Sequence, residues 1–220
     1  MKRLPAAGLV LLLLPLPPAR AADHPRVDFE YSDIWARVCG ELSGQEIGAE
    51  QEAAARALTA ELAVLWADNE KALLGTAIEI VGAPFPAREL HAVVSVCRTP
   101  SMSKPLVLNV RPWLEGGAAP PLDRAVLVAT VFHESLHWYV HARVPRASPL
   151  LAKYAGEDLL VRNHLHLLAL LKRVYEKLGR SRELALVMDA DRRLPRPAYK
   201  RAWEIVNAEG DAPFVSELKP

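Results

Sequence analysis

The sequence predicts an α+β fold, in which a small antiparallel sheet packs against a mainly helical remainder. The first observation is a pair of β-rich runs in the middle of the chain, at residues 89–97 and 105–111. The segment between them, TPSMSK, is typical of a hairpin loop. The second observation is that helical patterns lie before and after these runs instead of alternating with them, which favours the α+β class.

The part of the chain before the β-rich runs predicts one long helix and one short strand. Residues 22–47 are expected to form an irregular start with a short helical piece at 34–38. Residues 48–74 carry large apolar side chains at steps of three and four among alanines and charges, which is the helical period. Gly75 is the predicted stop of this helix, and residues 76–86 predict a short strand that ends at glycine and proline.

Helices are predicted for the rest of the chain, after the break LEGGAAPP. Asp123 is a suitable N-cap for the first of them, and the segments VPRASP and LPRP interrupt the helical pattern further on. The predicted helices cover residues 123–143, 157–178, 181–193 and 198–210.

The first 21 residues predict a signal peptide rather than a part of the fold. Lys2 and Arg3 precede an apolar stretch, and Ala19-Arg20-Ala21 fits the A-x-A pattern, so cleavage is expected after Ala21. The apolar stretch is too short and too rich in proline for a membrane span, and an uncleaved anchor is the alternative. We therefore expect a periplasmic or secreted protein without a stable membrane anchor, whose residues 22–220 form a single domain.

Net charge and cysteine content argue against some classes of protein, but they do not identify the function. The formal net charge is +1, from 27 basic and 26 acidic residues, and it gives no indication of a nucleic-acid partner. Cys39 and Cys97 can form a disulfide in an oxidising compartment, or they can be two separate buried thiols. Neither belongs to a C-x-x-C pair, which argues against a zinc site built from cysteine. The oligomeric state is left open.

The strongest functional signal is the stretch His-Glu-Ser-Leu-His within the first predicted helix after the break. Residues four apart on a helix lie on one face, about 5 to 6 Å apart, so His133 and His137 can bind one small ion. Glu134 lies one step round the helix and can take a proton from a water that such an ion activates. The neighbouring positions are apolar, and buried polar groups need partners, which a metal ion would provide. The alternative is a solvent-facing polar stripe on an amphipathic helix.

His141 continues the same four-residue row but cannot belong to the same site. A helix rises about 1.5 Å per residue, so His141 lies about 12 Å along the axis from His133. Zinc–nitrogen bonds are only about 2.0 to 2.1 Å long. The third protein ligand must therefore come from another segment.

The stretch around His133 and His137 resembles the HExxH zinc metallopeptidases. The metzincin type continues H-x-x-G-x-x-H, which this chain lacks, whereas the gluzincin type takes a glutamate from a following helix. Glu157, twenty residues after His137, fits that layout. The resemblance implies a zincin-like domain that binds zinc through His133, His137 and Glu157, with Glu134 as general base. The chain departs from the gluzincin pattern at Val161, where that helix often carries an acidic residue.

Other polar side chains are candidates for contacts with the substrate. His164 lies seven residues after Glu157, on nearly the same helix face, and could orient the substrate or stabilise an oxyanion. His166 points the opposite way. Tyr199 and Tyr154 are candidate hydrogen-bond donors to a transition state, and packing is the alternative role for both.

The resemblance also implies that an edge strand in the sheet pairs with an extended peptide, and the β-rich runs come at the corresponding point of the chain. The alternative is a sheet that only buries the active helix.

The function expected is that of an exported zinc-dependent metallopeptidase acting on a peptide or protein substrate. A zinc-binding or interaction protein without turnover and a hydrolase of a non-peptide amide are the alternatives. Glu134 favours an enzyme, since metal binding alone does not need it, and the short chain favours the binding protein.

Overall fold

The computed structural model describes residues 24–115 and 120–220. The predicted signal peptide, with cleavage after Ala21, lies outside the described residues. In chain order the elements are β1 (Arg26–Tyr31), α1 (Asp33–Ser43), α2 (Ala49–Val81), β2 (Glu89–Ser95), β3 (Met102–Ser103), β4 (Leu106–Asn109), a 3-10 turn (Arg111–Trp113), α3 (Arg124–His141), α4 (Pro149–Lys153), α5 (Leu159–Lys177), α6 (Ser181–Arg192), α7 (Ala198–Glu209) and α8 (Ala212–Glu217). The α+β class, with a small sheet and a mainly helical remainder, is confirmed.

The four-stranded sheet has the order β1-β2-β4-β3 and is mostly parallel. β2 pairs in parallel with β1 and with β4, and β3 alone runs antiparallel, to β4. The expected antiparallel hairpin between 89–97 and 105–111 is therefore wrong. The chain reverses twice between these runs, through the two-residue strand β3, so β4 returns in the direction of β2. So short a strand carries no periodicity that a sequence could reveal.

Helix α2 is longer than its pattern predicts. It passes through Gly75 and ends where Gly82 adopts φ 76°, a left-handed conformation that favours glycine. The strand predicted at 76–86 is therefore wrong. That segment is rich in β-formers, but Ala77 and Val81, four residues apart, are both buried in the core. Packing of this helical face outweighs local propensity.

β1 is a further element absent from the prediction, which expected an irregular start there. β1 is held against α2 by a hydrogen bond, in which the backbone nitrogen of Val27 donates to Glu70 at 2.9 Å. The four helices predicted after the break are present as α3, α5, α6 and α7, and the short helices α4 and α8 are additional.

A disulfide joins Cys39 of α1 to Cys97, which follows β2, with a Cα–Cα distance of 5.9 Å. Of the two possibilities, a disulfide or two separate buried thiols, the structure contains the disulfide. Disulfides are typical of proteins in oxidising compartments. Across residues 24–115 and 120–220, none of the helices combines the length and apolar character that a membrane crossing requires.

Helix α3 is the central element of the core and carries the His-Glu-Ser-Leu-His stretch. The side chain of Asp123 caps its first turn by accepting from the backbone nitrogen of Ala125 at 2.8 Å. Phe132 and Leu136 are fully buried, and α2, α5, α6 and the sheet pack around the helix. Trp138 donates its indole N–H to the carbonyl oxygen of Ser103 at 2.7 Å, which fixes β3 against α3. A helix enclosed in this way holds its polar side chains in defined positions.

Candidate metal centre

Three histidines from two helices converge beside α3. His133 and His137 project from one face of α3, and His164 projects towards them from α5. Their ring centroids are 5.0 Å (His133–His137), 5.2 Å (His133–His164) and 4.9 Å (His137–His164) apart, so the rings form a nearly equilateral triangle. One nitrogen from each ring lies within 4.8 Å of the others. His133, His137 and His164, the triad, are close enough to bind one metal ion.

The hydrogen bonding of His164 shows which of its nitrogens is free. Nδ1 lies 2.6 Å from the carbonyl oxygen of Leu160. A carbonyl oxygen can only accept, so Nδ1 carries the proton and Nε2 keeps its lone pair. Nε2 of His164 and Nε2 of His133 are both buried without a hydrogen-bond partner among the described side chains. Such atoms are rare in folded proteins, and a metal ion would satisfy both.

The electrostatics of the cluster keep the imidazoles neutral. Burial, followed by the proximity of His137 and His164, holds the pKa of His133 well below its usual value. Burial, followed by the charge of His164, lowers the pKa of His137 to about 3. Burial also lowers the pKa of His164. Neutral imidazole is the form that binds metal ions, so the cluster is ready for a ligand role at neutral pH.

Glu134 is buried directly beside the cluster. Its side chain lines one cleft together with His133 and Tyr199, and the residue is only 6% exposed. Burial raises the pKa of this carboxyl group to about 8. A raised pKa makes the carboxylate a stronger base, and a divalent ion beside it would favour the ionised form that a general base requires.

The prediction that Glu157 is the third ligand is corrected. Glu157 precedes α5, and its Oε1 accepts from Nε and Nη2 of Arg201 at 2.9 Å and 2.6 Å. The helix begins only at Leu159, with Asp158 as its N-cap, so Glu157 lies before the first turn and is held against α7. Within the described part of the chain Glu157 does not belong to the group of potential ligands, and His164 takes that position.

His164 was predicted as a contact to the substrate, and its place in the triad revises that role. A signal for it exists in the sequence. Val161, Leu165 and Leu168 form a buried apolar stripe on α5, and His164 lies within that stripe. A histidine in a buried stripe needs a partner, which makes it a candidate ligand.

Of the two candidate tyrosines, one lies at the site. The ring centroid of Tyr199, from α7, lies 4.5 Å from that of His164 and 5.9 Å from that of His133. Burial, followed by the negative charge of Glu134, raises the pKa of Tyr199, so its phenol stays protonated and can donate. Tyr154 instead donates to Glu209 at 2.7 Å.

The cleft beside Glu134 has a volume of about 190 Å³ and mainly apolar walls, which α3, α6 and the segment around Trp113 supply. Asp191 lies in this cleft and has no counterpart in the sequence prediction. It accepts from the indole nitrogen of Trp203 at 2.8 Å, and burial raises its pKa to about 6. Nothing in the pattern of α6 distinguishes Asp191 from a solvent-facing acid, because the packing of α7 over α6 is what buries it.

Comparisons of the chain with models of known protein families, with curated proteins and with solved structures found no match.

Proposed function

We propose that the protein is an exported zinc-dependent hydrolase, and specifically a metallopeptidase. In this proposal His133, His137 and His164 bind the metal and Glu134 is the general base. The observation that carries it is the pairing of three neutral histidines with one buried carboxyl group at the adjacent helix position. Three imidazoles suit zinc, which in catalytic sites takes three protein ligands and keeps a fourth position open.

A divalent ion at this site supplies Lewis acidity, which polarises a substrate carbonyl and lowers the pKa of water next to it. Glu134 takes the proton from the attacking water, and its burial away from solvent makes it a stronger base. Since Glu134 follows His133 in the chain, the base is fixed beside the metal ligands by the helix itself.

Tyr199 has a separate role in the proposal. Its ring lies against His164, and it lines the same cleft as Glu134. The phenol donates a hydrogen bond to the oxygen that becomes negatively charged when water attacks the substrate carbonyl. This donor requires a protonated phenol, which the raised pKa of Tyr199 maintains.

The sheet supports peptide binding less than the sequence suggested. β2 and β4, the strands at the expected positions, are both internal to the sheet, so the expected edge strand is not one of them. The edge strand beside α3 is β3, which has two residues, and the carbonyl oxygen of Ser103 already accepts from Trp138. We therefore assign the binding of a peptide substrate to the grooves beside the triad.

The small size of the cleft favours an alternative, a zinc-binding protein without turnover. Clefts that bind drug-sized ligands usually measure about 300 to 1,000 Å³, and the cleft beside Glu134 measures about 190 Å³. It accommodates one small apolar group. A hydrolase of a non-peptide amide would use the same catalytic residues.

The test compares wild-type protein with Glu134→Gln on a library of unstructured proteins, peptides and simple amides. Both proteins should retain zinc, and Glu134→Gln should lower kcat by about 100- to 10,000-fold because it removes only the base. Glu46→Gln, a change of an exposed glutamate, is the matched control and should keep full activity. Zinc-loaded wild type that cleaves nothing would favour the binding protein, and an active Glu134→Gln would refute the assigned base.

A further inference from the structure

A second groove adjoins the triad at His137, and its charged side chains are all positive. Its volume is about 800 Å³, and its polar lining includes Lys104, His137, His141, Arg146, Arg162 and Asn163. We infer that this cationic groove binds a carboxylate of the substrate, so that the enzyme acts on peptides with an acidic side chain or a free C-terminus near the cleaved bond. This inference rests on the proposed hydrolase function and names its substrate class.

The first support is the absence of compensating charge. Lys104, Arg146 and Arg162 contribute three positive charges, and no acidic residue lines the groove. None of the three forms an ion pair within residues 24–115 and 120–220. A cleft lined by one sign of charge concentrates its field and attracts the opposite charge.

Arg162 gives the second, independent support. Its Nε is buried and has no hydrogen-bond partner among the described residues. A buried guanidinium N–H without a partner is costly, whereas a carboxylate can accept two parallel hydrogen bonds from one guanidinium. Arg162 lines the groove together with His137, so a carboxylate held there is close to the proposed metal centre.

Lys104 forms the other side of the groove, next to β3. Its ammonium group lies 4.9 Å from the ring centroid of Trp138, a cation–π contact that leaves its charge unneutralised. Lys104 lines the groove together with His137, a member of the triad. Lys104 therefore brings the groove into direct contact with the triad.

The acid that contacts His166, a residue lining the groove, already has several hydrogen-bond donors. Glu217 accepts from His166 at 2.8 Å and from the backbone nitrogen of Leu150 at 3.1 Å, and Ser148 also donates to it. It is not among the lining residues, so it does not neutralise the groove. The charge left for a ligand is that of Lys104, Arg146 and Arg162.

The experiment measures binding without turnover, using zinc-loaded Glu134→Gln and calorimetry with matched peptides. In the first kind of pair, one peptide has glutamate and the other glutamine at the same position, and each position is tested in turn. In the second kind, one peptide ends in a free carboxylate and the other in an amide. We expect at least one acidic member to bind about tenfold more tightly than its neutral counterpart, with the difference decreasing as salt is added. A preference in the first pair assigns the carboxylate to a side chain, and a preference in the second assigns it to the C-terminus.

Three substitutions then locate the preference. The ratio of the affinities for the acidic and the neutral peptide should fall towards one in Arg162→Gln, Lys104→Gln and Arg146→Gln, each made in the Glu134→Gln background. Arg182→Gln removes one charge from an exposed position on α6 that does not line the groove, and it should leave the preference unchanged. Lys104 and Arg146 are exposed, so their variants test the groove even where Arg162→Gln fails to fold.

Two outcomes would overturn the inference. One is equal affinity for the acidic and the neutral peptides, and the other is a preference that survives all three groove substitutions. These outcomes are separable from the fate of the proposed function, since no catalysis enters the measurement. Hydrolysis of both members of a pair without any acidic preference would retain the hydrolase and remove the carboxylate site. An acidic preference in a protein whose wild type cleaves nothing would retain the site and remove the hydrolase.

Discussion

Nδ1 of His164 donates a hydrogen bond to the carbonyl oxygen of Leu160 at 2.6 Å, one turn earlier on the same helix. This contact fixes the tautomer and leaves the lone pair on Nε2, a buried atom with no partner in the described part of the chain. The acceptor belongs to the backbone of α5, so no separate acidic side chain is needed to orient this ring. The absence of an acid at Val161 is therefore compatible with a metal centre.

Tyr199→Phe should separate catalysis from metal binding. It removes the phenol and keeps the ring that packs beside His164. We expect the zinc affinity to stay the same and kcat to fall by about 100-fold, since one transition-state donor is lost. The measurement is kcat together with zinc content. A variant with unchanged kcat would restrict Tyr199 to packing.

Zinc retention should depend on pH in the direction that the lowered histidine pKa values dictate. The usual pKa is 6.5, and that of His137 in the metal-free fold is about 3, with burial as the main cause. Between these values the unfolded chain binds more protons at His137 than the folded protein does, so the stability that His137 contributes is complete above 6.5 and decreases as the pH falls towards about 3.

Protons compete with zinc for the same nitrogens, and since the pKa of His137 is about 3, zinc should be retained below pH 6.5 and lost only as the pH falls towards about 3. Zinc content of wild type after dialysis and the melting temperature of metal-free Glu134→Gln, which lacks the opposing titration of Glu134, measure the two effects from about pH 8 to about pH 2. Zinc that is already lost near pH 6.5, or a melting temperature that stays constant below it, would contradict a site of buried neutral histidines.

The disulfide should contribute to stability and not to the metal centre. Cys39 and Cys97 are 58 residues apart, and their bond restricts the unfolded chain. The double variant Cys39→Ala/Cys97→Ala should lower the free energy of unfolding by about 2 to 5 kcal/mol. Denaturant unfolding measures this loss, with zinc content as the control. A variant that keeps its stability but loses zinc would show that the bridge supports the site and not the fold.

Parts of the structure that depend on local sequence could be predicted from it. Helix α3 begins beside its cap, Asp123, as expected, and the four-residue spacing brings His133 and His137 to one face. Glu134 lies beside them because the helix period determines its direction.

The third member of the triad could not be predicted in the same way. The pattern allowed α5 to begin at Glu157, whereas Asp158 caps a helix that starts at Leu159. Two residues shift a helical position by more than half a turn, and only the packing of α5 on α3 decides which residue meets the triad. The direction of β4 depends likewise on a two-residue strand that has no sequence signature.

The zinc stoichiometry of three proteins, measured by titration of the metal-free forms, tests the central claim most directly. We predict close to one zinc per chain for wild type and for Glu157→Gln, and an affinity at least about 100-fold weaker for His164→Ala, which lacks one ligand. The reason is that His164 lies in the triad and Glu157 pairs with Arg201. Wild type that takes up no zinc, or zinc binding that survives His164→Ala and fails in Glu157→Gln, would contradict the account.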